Sequence, residues 1–68
     1  MKTVSGKRLA KLAESKGWTL ARINGSHHIC VKSDRTERLV LPIHGNQDLK
    51  AGLQRALMKI IPADESEL

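Results

Sequence analysis

The dipeptide Asn24-Gly25 lies about a third of the way along the chain, between two apolar-rich stretches in which apolar and polar residues partly alternate. An Asn-Gly pair in this setting is the strongest short-range signal for a tight turn between two antiparallel strands. The alternation predicts strands over residues 18–23 and 26–32. Because the alternation slips within the first of them, we expect a bulge or a local twist there. The sequence therefore predicts a β-hairpin against which the rest of the chain must pack.

The segment before the hairpin has the pattern of an amphipathic helix over residues 6–16. Ser5 is a suitable N-cap, because its hydroxyl can accept a hydrogen bond from an unpaired amide of the first turn. Gly17 suits the position just after the helix, where a left-handed backbone is common. The residues expected to face the core recur at helical spacing, and they are Leu9, Leu12 and Ala13.

The segment after the hairpin completes the pattern with one more strand and a second helix. A strand over residues 37–42 should end at Pro42, which has no amide hydrogen to donate. A helix over residues 49–61 should be capped by Asp48 or a neighbour and stopped by Pro62. The residues predicted to form its buried stripe are Leu53, Ala56, Leu57 and Ile60.

The order of elements, α-β-β-β-α, predicts an α+β fold in which two helices cover one face of a three-stranded antiparallel sheet. Double-stranded-RNA-binding domains have this layout. The chain has 68 residues and Trp18 is its only aromatic one, so the core must be aliphatic and a large internal cavity is not expected. We expect residues 1–62 to form a single domain and the acidic residues 63–68 to form a disordered tail.

The cysteine content and the apolar runs bear on where the protein acts. Cys30 is the only cysteine, so no internal disulfide can form and we expect a reducing compartment. Residues 1–5 contain no apolar segment of a secretory signal, and no apolar run approaches the roughly 20 residues needed to span a bilayer. We therefore expect a cytoplasmic protein without a membrane partner.

Basic residues dominate the part of the chain that is expected to fold. Residues 1–61 hold all 12 Lys and Arg but only four Asp and Glu, which gives a net charge of +8. Such a charge favours a polyanion, nucleic acid first and an anionic membrane surface second. Many small basic proteins bind no specific partner, so charge alone leaves the ligand open. The candidate RNA-binding residues are Lys7, Arg8, Lys11, Arg22, Lys32 and Lys50.

Three histidines are the candidates for chemistry. His27 and His28 should point to opposite faces of the second predicted strand. Ile29 and Val31 are expected to face the helices, which would put His27 at the rim of the core, either as a packed residue or as a reachable acid–base group. His28 is either a second proton donor, a solvated side chain or a residue that stacks on a base. His44, in a predicted loop, is equally a phosphate contact or an exposed residue.

The sequence predicts neither a metal site nor a cofactor site. His27 and His28 diverge, and His28 with Cys30 would supply only two ligands, too few for a structural zinc site. The chain has no phosphate-binding loop, dinucleotide fingerprint or nucleophile elbow. Any catalysis is therefore expected to use side chains alone, with no metal and no small-molecule cofactor.

Three segments of the chain form a joint pattern. They are Ser5-Gly6-Lys7 before a leucine-striped helix that ends in Lys16-Gly17-Trp18, then Gly25-Ser26-His27, and then Leu41-Pro42-Ile43-His44-Gly45 followed by Asp48-Leu49-Lys50 and Gly52-Leu53. Each segment is weak alone. Together and in this order, over roughly residues 4–61, they resemble the HicA toxin family of bacterial toxin–antitoxin systems.

This resemblance implies a small ribonuclease with a double-stranded-RNA-binding-like fold, which cleaves mRNA, arrests growth and is neutralised by a HicB-type antitoxin. The family's catalytic histidine stands in the Gly-Ser-His motif and corresponds to His27, with Ser26 and His28 as auxiliary candidates. The acidic tail after Pro62 departs from the family pattern. Many members also carry an aromatic residue near the position of Cys30.

The implied chemistry is physically coherent, because RNA supplies its own nucleophile, the 2′-hydroxyl. A histidine can take that proton or protonate the leaving 5′-oxygen, an effect worth roughly 10²–10⁴-fold. Arg and Lys can stabilise the charge that builds on phosphorus. Two functions stay open at this point, a metal-independent endoribonuclease toxin and a non-catalytic RNA-binding module with the same basic surface. The position of His27 favours the first.

Overall fold

The computed structural model describes residues 1–68 and contains two helices and a three-stranded sheet. The elements are α1 (Gly6–Ser15), β1 (Thr19–Asn24), β2 (His27–Val31), β3 (Leu39–Pro42), α2 (Ala51–Ile60) and a C-terminal 3-10 turn (Glu65–Glu67). Both strand pairs are antiparallel, and β2 lies between β1 and β3. The predicted α+β fold with α-β-β-β-α order is therefore confirmed. Neither helix has the length and apolar character that crossing a membrane requires.

The hairpin turn between β1 and β2 lies one residue later than the Asn-Gly signal predicts. Asn24 pairs with His27, so the two residues of the turn are Gly25 and Ser26. Gly25 has a φ of 61°, which matches the left-handed first position of a type II′ hairpin turn. Asn24 therefore belongs to β1, and the turn makes His27 the first residue of β2. The irregularity expected in the first strand is present as a register shift in β1.

The prediction that Ile29 and Val31 face the helices is wrong. Cys30 is 2% exposed and belongs to the core, whereas Val31 is 38% exposed. Because strand residues alternate, His28 lies on the helix side with Cys30, and His27 lies on the open face. The cause is the pairing with β3, in which the partners of His28 and Cys30 are two fully buried leucines. Those leucines decide which face of the sheet the helices cover.

Helix α1 buries the face predicted for it. The Ser5 hydroxyl caps the helix by accepting a hydrogen bond from an amide of the first turn (3.2 Å). Leu9 and Ala13 are fully buried in the same core cluster as the leucines of β3. Trp18 is also buried there, and its indole N–H donates to the carbonyl oxygen of Ile61 (2.8 Å). The core is thus aliphatic around one aromatic ring whose polar atom is satisfied.

Helix α2 starts at Ala51, two residues later than predicted, and Asp48 does not cap it. Lys50 occupies the N-cap position, and no side chain makes a capping hydrogen bond there. Asp48 instead forms an isolated antiparallel bridge with Ser5, and its carboxylate accepts a hydrogen bond from the Thr3 hydroxyl (3.1 Å). The segment before α2 is therefore tied to the start of α1 rather than to its own helix.

The buried face of α2 includes a polar residue that hydrophobic periodicity places outside the core. Gln54 is fully buried, whereas Leu53 of the predicted stripe is 42% exposed; Leu57 is buried as predicted. The side-chain oxygen of Gln54 accepts from the N–H of Val4 (2.8 Å), and its nitrogen donates to the carbonyl of Lys2 (2.8 Å). Leaving a buried backbone group such as the Val4 N–H unpaired costs about 1–3 kcal/mol, so the glutamine stabilises this position.

Residues 63–68 contact α1. Their 3-10 turn brings the Glu67 carboxylate to 2.6 Å from the Lys16 ammonium. This hydrogen bond, with a second from a backbone amide, lowers the pKa of Glu67. The guanidinium of Arg8 donates to the carbonyl oxygen of Leu68 (2.6 Å). The division of the chain at residue 62 into a domain and a separate tail stays a prediction.

Candidate active site and nucleic-acid interface

His27 is held in a defined position at the turn end of the sheet. It is the first residue of β2, where it pairs with Asn24 of β1 and with Pro42 of β3. Its side chain is exposed. A side chain on a strand that is paired on both sides has a fixed origin while it stays open to a ligand, which is the arrangement that acid–base chemistry needs.

Two further contacts fix the segments beside His27. The N–H of Ile43 donates to the carbonyl of Ser26 (2.7 Å), which extends the contact between the hairpin and the chain beyond Pro42. Gly6, at the start of α1, is buried so close to the carbonyl oxygen of Pro42 that a Cβ atom would overlap it. The three sequence segments of the joint pattern, distant along the chain, therefore meet at this end of the sheet.

The surface around His27 is the open face of the sheet. Arg22 pairs with Ile29, the next residue of β2 on this face. Arg22 is thus a diagonal neighbour of His27, and such neighbours are about 7–8 Å apart, within reach of a long side chain. Val31 and Val40 add exposed apolar side chains to the same face. This face therefore offers the imidazole of His27, the positive charge of Arg22 and exposed apolar side chains.

His28 lies on the other side of the sheet. It is half-buried and lines an open groove of about 530 Å³ between α1 and the hairpin. Lys7, Arg8 and Lys11 of α1 line the same groove. Three of the six predicted RNA-binding residues are therefore brought together beside His28 rather than beside His27.

The other three predicted RNA-binding residues lie elsewhere. Arg22 is on the open face of the sheet. Lys32 forms an ion pair with Asp34 (3.8 Å). Lys50 lines a separate surface pocket together with His44. The six cations are thus distributed over several surfaces.

Asn24, Pro42 and Ile43 contact or pair with the segment that carries His27, and the sequence patterns did not single them out as site residues. The length of the hairpin turn could have identified Asn24, because a two-residue turn sets the strand register. Pro42 and Ile43 belong to the joint sequence pattern, but nothing local indicates that they meet the segment of His27, since those contacts depend on how β3 pairs with β2.

Cys30 is an inert core residue. Burial, with a smaller contribution from the charge of Glu14, raises the pKa of its thiol, which keeps it in the unreactive protonated form near neutral pH. No three His, Cys, Asp or Glu side chains lie close enough together to hold a metal ion. The groups that this surface offers to a ligand are the histidines and the cations.

Comparison with known proteins adds a family match. The model of a family described as the HicA toxin of bacterial toxin–antitoxin matches residues 6–61. The matched range begins at the first residue of α1 and ends just after α2, and it contains His27 and every residue that lines the groove beside His28 except Ser5. Among curated proteins, none matches the chain.

Proposed function

Because the chain belongs to the HicA toxin family and is the toxin of a toxin–antitoxin pair, we propose that it is a metal-independent endoribonuclease that cleaves mRNA, with His27 as its general acid or base. Its site of action is the cytoplasm, where mRNA is translated. The observation that carries the proposal is the exposed imidazole of the Gly-Ser-His motif, which stands on a strand paired on both sides within the matched range.

RNA itself supplies the nucleophile of this reaction. The 2′-hydroxyl attacks the adjacent phosphorus and the bond from phosphorus to the 5′-oxygen breaks, which gives a 2′,3′-cyclic phosphate and a 5′-hydroxyl. His27 takes the proton of the 2′-hydroxyl or donates a proton to the departing 5′-oxygen, and water exchanges the other proton. One such group contributes roughly 10²–10⁴-fold. A modest rate suffices for a toxin, because one cut disables a whole message.

The charge that builds on the phosphate oxygens needs a positive neighbour. Arg22 lies on the same face as His27, and a cation aimed at developing charge is worth more in the transition state than in the ground state. Ser26 directly precedes His27 and is half-buried, which keeps its hydroxyl as an auxiliary candidate. His28 is the other auxiliary candidate, but it lies on the opposite face of the sheet.

We expect the purified chain to cleave RNA at an unchanged rate in excess EDTA, because the proposed mechanism moves protons through a side chain and no cluster of metal ligands is present. The measurement is the cleavage rate of a labelled single-stranded oligonucleotide, whose lack of structure avoids the effect of Mg²⁺ on RNA folding. Loss of cleavage in EDTA that a divalent ion restores would contradict the mechanism. RNA binding without any cleavage would favour the alternative, a non-catalytic RNA-binding module.

The antitoxin is proposed to be of the HicB type and to cover the surfaces that RNA uses. Residues 1–61 carry a net charge of +8, which favours a partner with an acidic contact region and speeds its association. Covering His27 together with Arg22, the cation on the same face, would silence the toxin with one interface.

We therefore expect the antitoxin and RNA to compete for the chain, and RNA affinity to fall as salt rises through counterion release. The measurement is a titration of antitoxin into labelled RNA bound to the non-cleaving His27→Ala chain, followed by fluorescence anisotropy. If saturating antitoxin leaves RNA affinity unchanged, inhibition does not work by occlusion, and the partner docks on an apolar patch elsewhere.

A further inference from the structure

His27 and His28 are neighbours in sequence but lie on different surfaces of the protein. His27 is exposed on the open face, and His28 is half-buried on the helix side. Side chains of consecutive strand residues point to opposite faces, so these two imidazoles cannot both contact the same phosphodiester. An RNA strand that contacts both must therefore present a different phosphate to each.

The groove beside His28 has the charge of an anion site. Lys7 and Lys11 are four residues apart on α1, so their side chains are neighbours on one face of the helix, and both line the groove. The four ion pairs of the structure involve neither of them. Glu14 is the one acidic residue in the lining, against three cations that include Arg8. The ammonium groups of Lys7 and Lys11 are therefore available to bind an anionic ligand.

Two further features of the groove suit a nucleotide, the first its phosphate and the second its sugar or base. The N-terminal turn of the ten-residue helix α1 lines the groove through Ser5 and Lys7, and the partial positive charge of a helix N-terminus favours an anion. Leu20 and Ile43 also line it. Their apolar surface offers a place for the sugar or base that accompanies a backbone phosphate.

We propose that this groove binds an RNA phosphate that flanks the one cleaved at His27, and that His28 is a binding residue rather than a catalytic one. The RNA strand rounds the end of the sheet at the hairpin turn. There the Cβ position of Gly25 has no atom within 4 Å, so the turn leaves room for the strand. This inference rests on the proposed ribonuclease function, but it concerns RNA binding, which is measurable without cleavage.

The first test removes single charges and uses a matched control. Lys7→Gln and Lys11→Gln act in the groove, whereas Lys59→Gln removes the same charge from the exposed last turn of α2. Each is placed in the His27→Ala chain, and its affinity for a single-stranded RNA oligonucleotide is measured over a range of salt. We expect each groove variant to bind several-fold more weakly and to lower the slope of log affinity against log salt by about one. We expect Lys59→Gln to change neither quantity.

The second test separates binding from catalysis at His28. In the active chain, His28→Gln is expected to raise KM several-fold and to leave kcat within about twofold, because a contact made equally in the ground and transition states affects binding alone. Equal melting temperatures of the variants exclude unfolding as the cause. If His28→Gln does not fold, the lysine variants still decide, since both side chains are exposed.

Three results would overturn the inference. They are an unchanged salt slope in both groove variants, a fall of kcat at constant KM in His28→Gln, and a loss of antitoxin affinity with normal RNA affinity, which would assign the groove to the protein partner. A wild-type chain that binds RNA through Lys7 and Lys11 but never cleaves it would refute the proposed ribonuclease and leave the groove supported. Cleavage without any contribution of the groove would support the proposed ribonuclease and refute the binding role of the groove.

Discussion

Replacing His27 with alanine is expected to lower the rate of RNA cleavage by roughly 10²–10⁴-fold, because it removes the group proposed to transfer the proton. The fold should persist, since the side chain is exposed and the pairing of this residue with Asn24 and Pro42 uses the backbone. The measurement is the single-turnover cleavage rate of a labelled RNA oligonucleotide at saturating enzyme, which reports chemistry without a contribution from weakened binding.

A matched control is His44→Ala, which removes the same type of side chain from an exposed position in the loop after β3. It should cleave at nearly the wild-type rate, and His28→Ala should cost less than His27→Ala. Cleavage by His27→Ala at the wild-type rate, in protein whose circular dichroism and melting temperature are unchanged, would show that His27 is not the catalytic group.

The largest loss of stability is expected from Gly6→Ala. A Cβ atom at this position would overlap the carbonyl oxygen of Pro42, which is backbone and cannot rotate away, and it would also lie 3.1 Å from the Ile43 side chain. Forcing an extra methyl into a packed contact costs about 1–3 kcal/mol, out of a total of only a few kcal/mol for a chain this short. We expect the melting temperature to fall by roughly 5–20 °C, as measured by thermal unfolding followed by circular dichroism.

The chain provides its own control in Gly52→Ala. Gly52 lies within α2, and a Cβ there would meet nothing within 4 Å. The same substitution should therefore stabilise the protein by up to about 1 kcal/mol through helix propensity. Equal melting temperatures for Gly6→Ala and the wild type would contradict the close approach of α1 to β3. Because Pro42 pairs with His27, any Gly6→Ala protein that does fold should also cleave RNA more slowly.

The parts of the fold that could be predicted from sequence are those with local signals. The hairpin follows from Asn24-Gly25, the start of α1 from the Ser5 cap, and the end of β3 from Pro42. The start of α2 could not be predicted in this way. The residue that looked like its cap, Asp48, bridges to Ser5 instead, a contact over more than 40 positions that no local pattern records.

The faces of the sheet show a second limit of sequence patterns. Alternation says which residues share a face, but it does not say which face the helices cover. Ile29 and Val31 looked like the buried pair because they are more apolar than His28 and Cys30. Two buried leucines of β3 reverse that choice, because they are paired with His28 and Cys30.

The candidate site likewise contains one part with a local sequence signal and another part that depends on the fold. The Gly-Ser-His motif was enough to single out His27, since a motif is local. The grouping of Lys7 and Lys11 with His28 depends on how α1 lies against the hairpin, and the list of basic residues did not reveal it. Gln54 was missed for a related reason, because its burial depends on two backbone partners near the N-terminus.

This toxin is proposed to act by cutting mRNA through His27. The most direct measurement expresses the wild-type chain and His27→Ala in a host without the antitoxin and follows growth together with the integrity of cellular mRNA. We expect the wild type to arrest growth with newly cut messages, and His27→Ala, at equal protein level, to leave both growth and mRNA intact. Growth arrest by both chains, with mRNA intact in each, would contradict the claim.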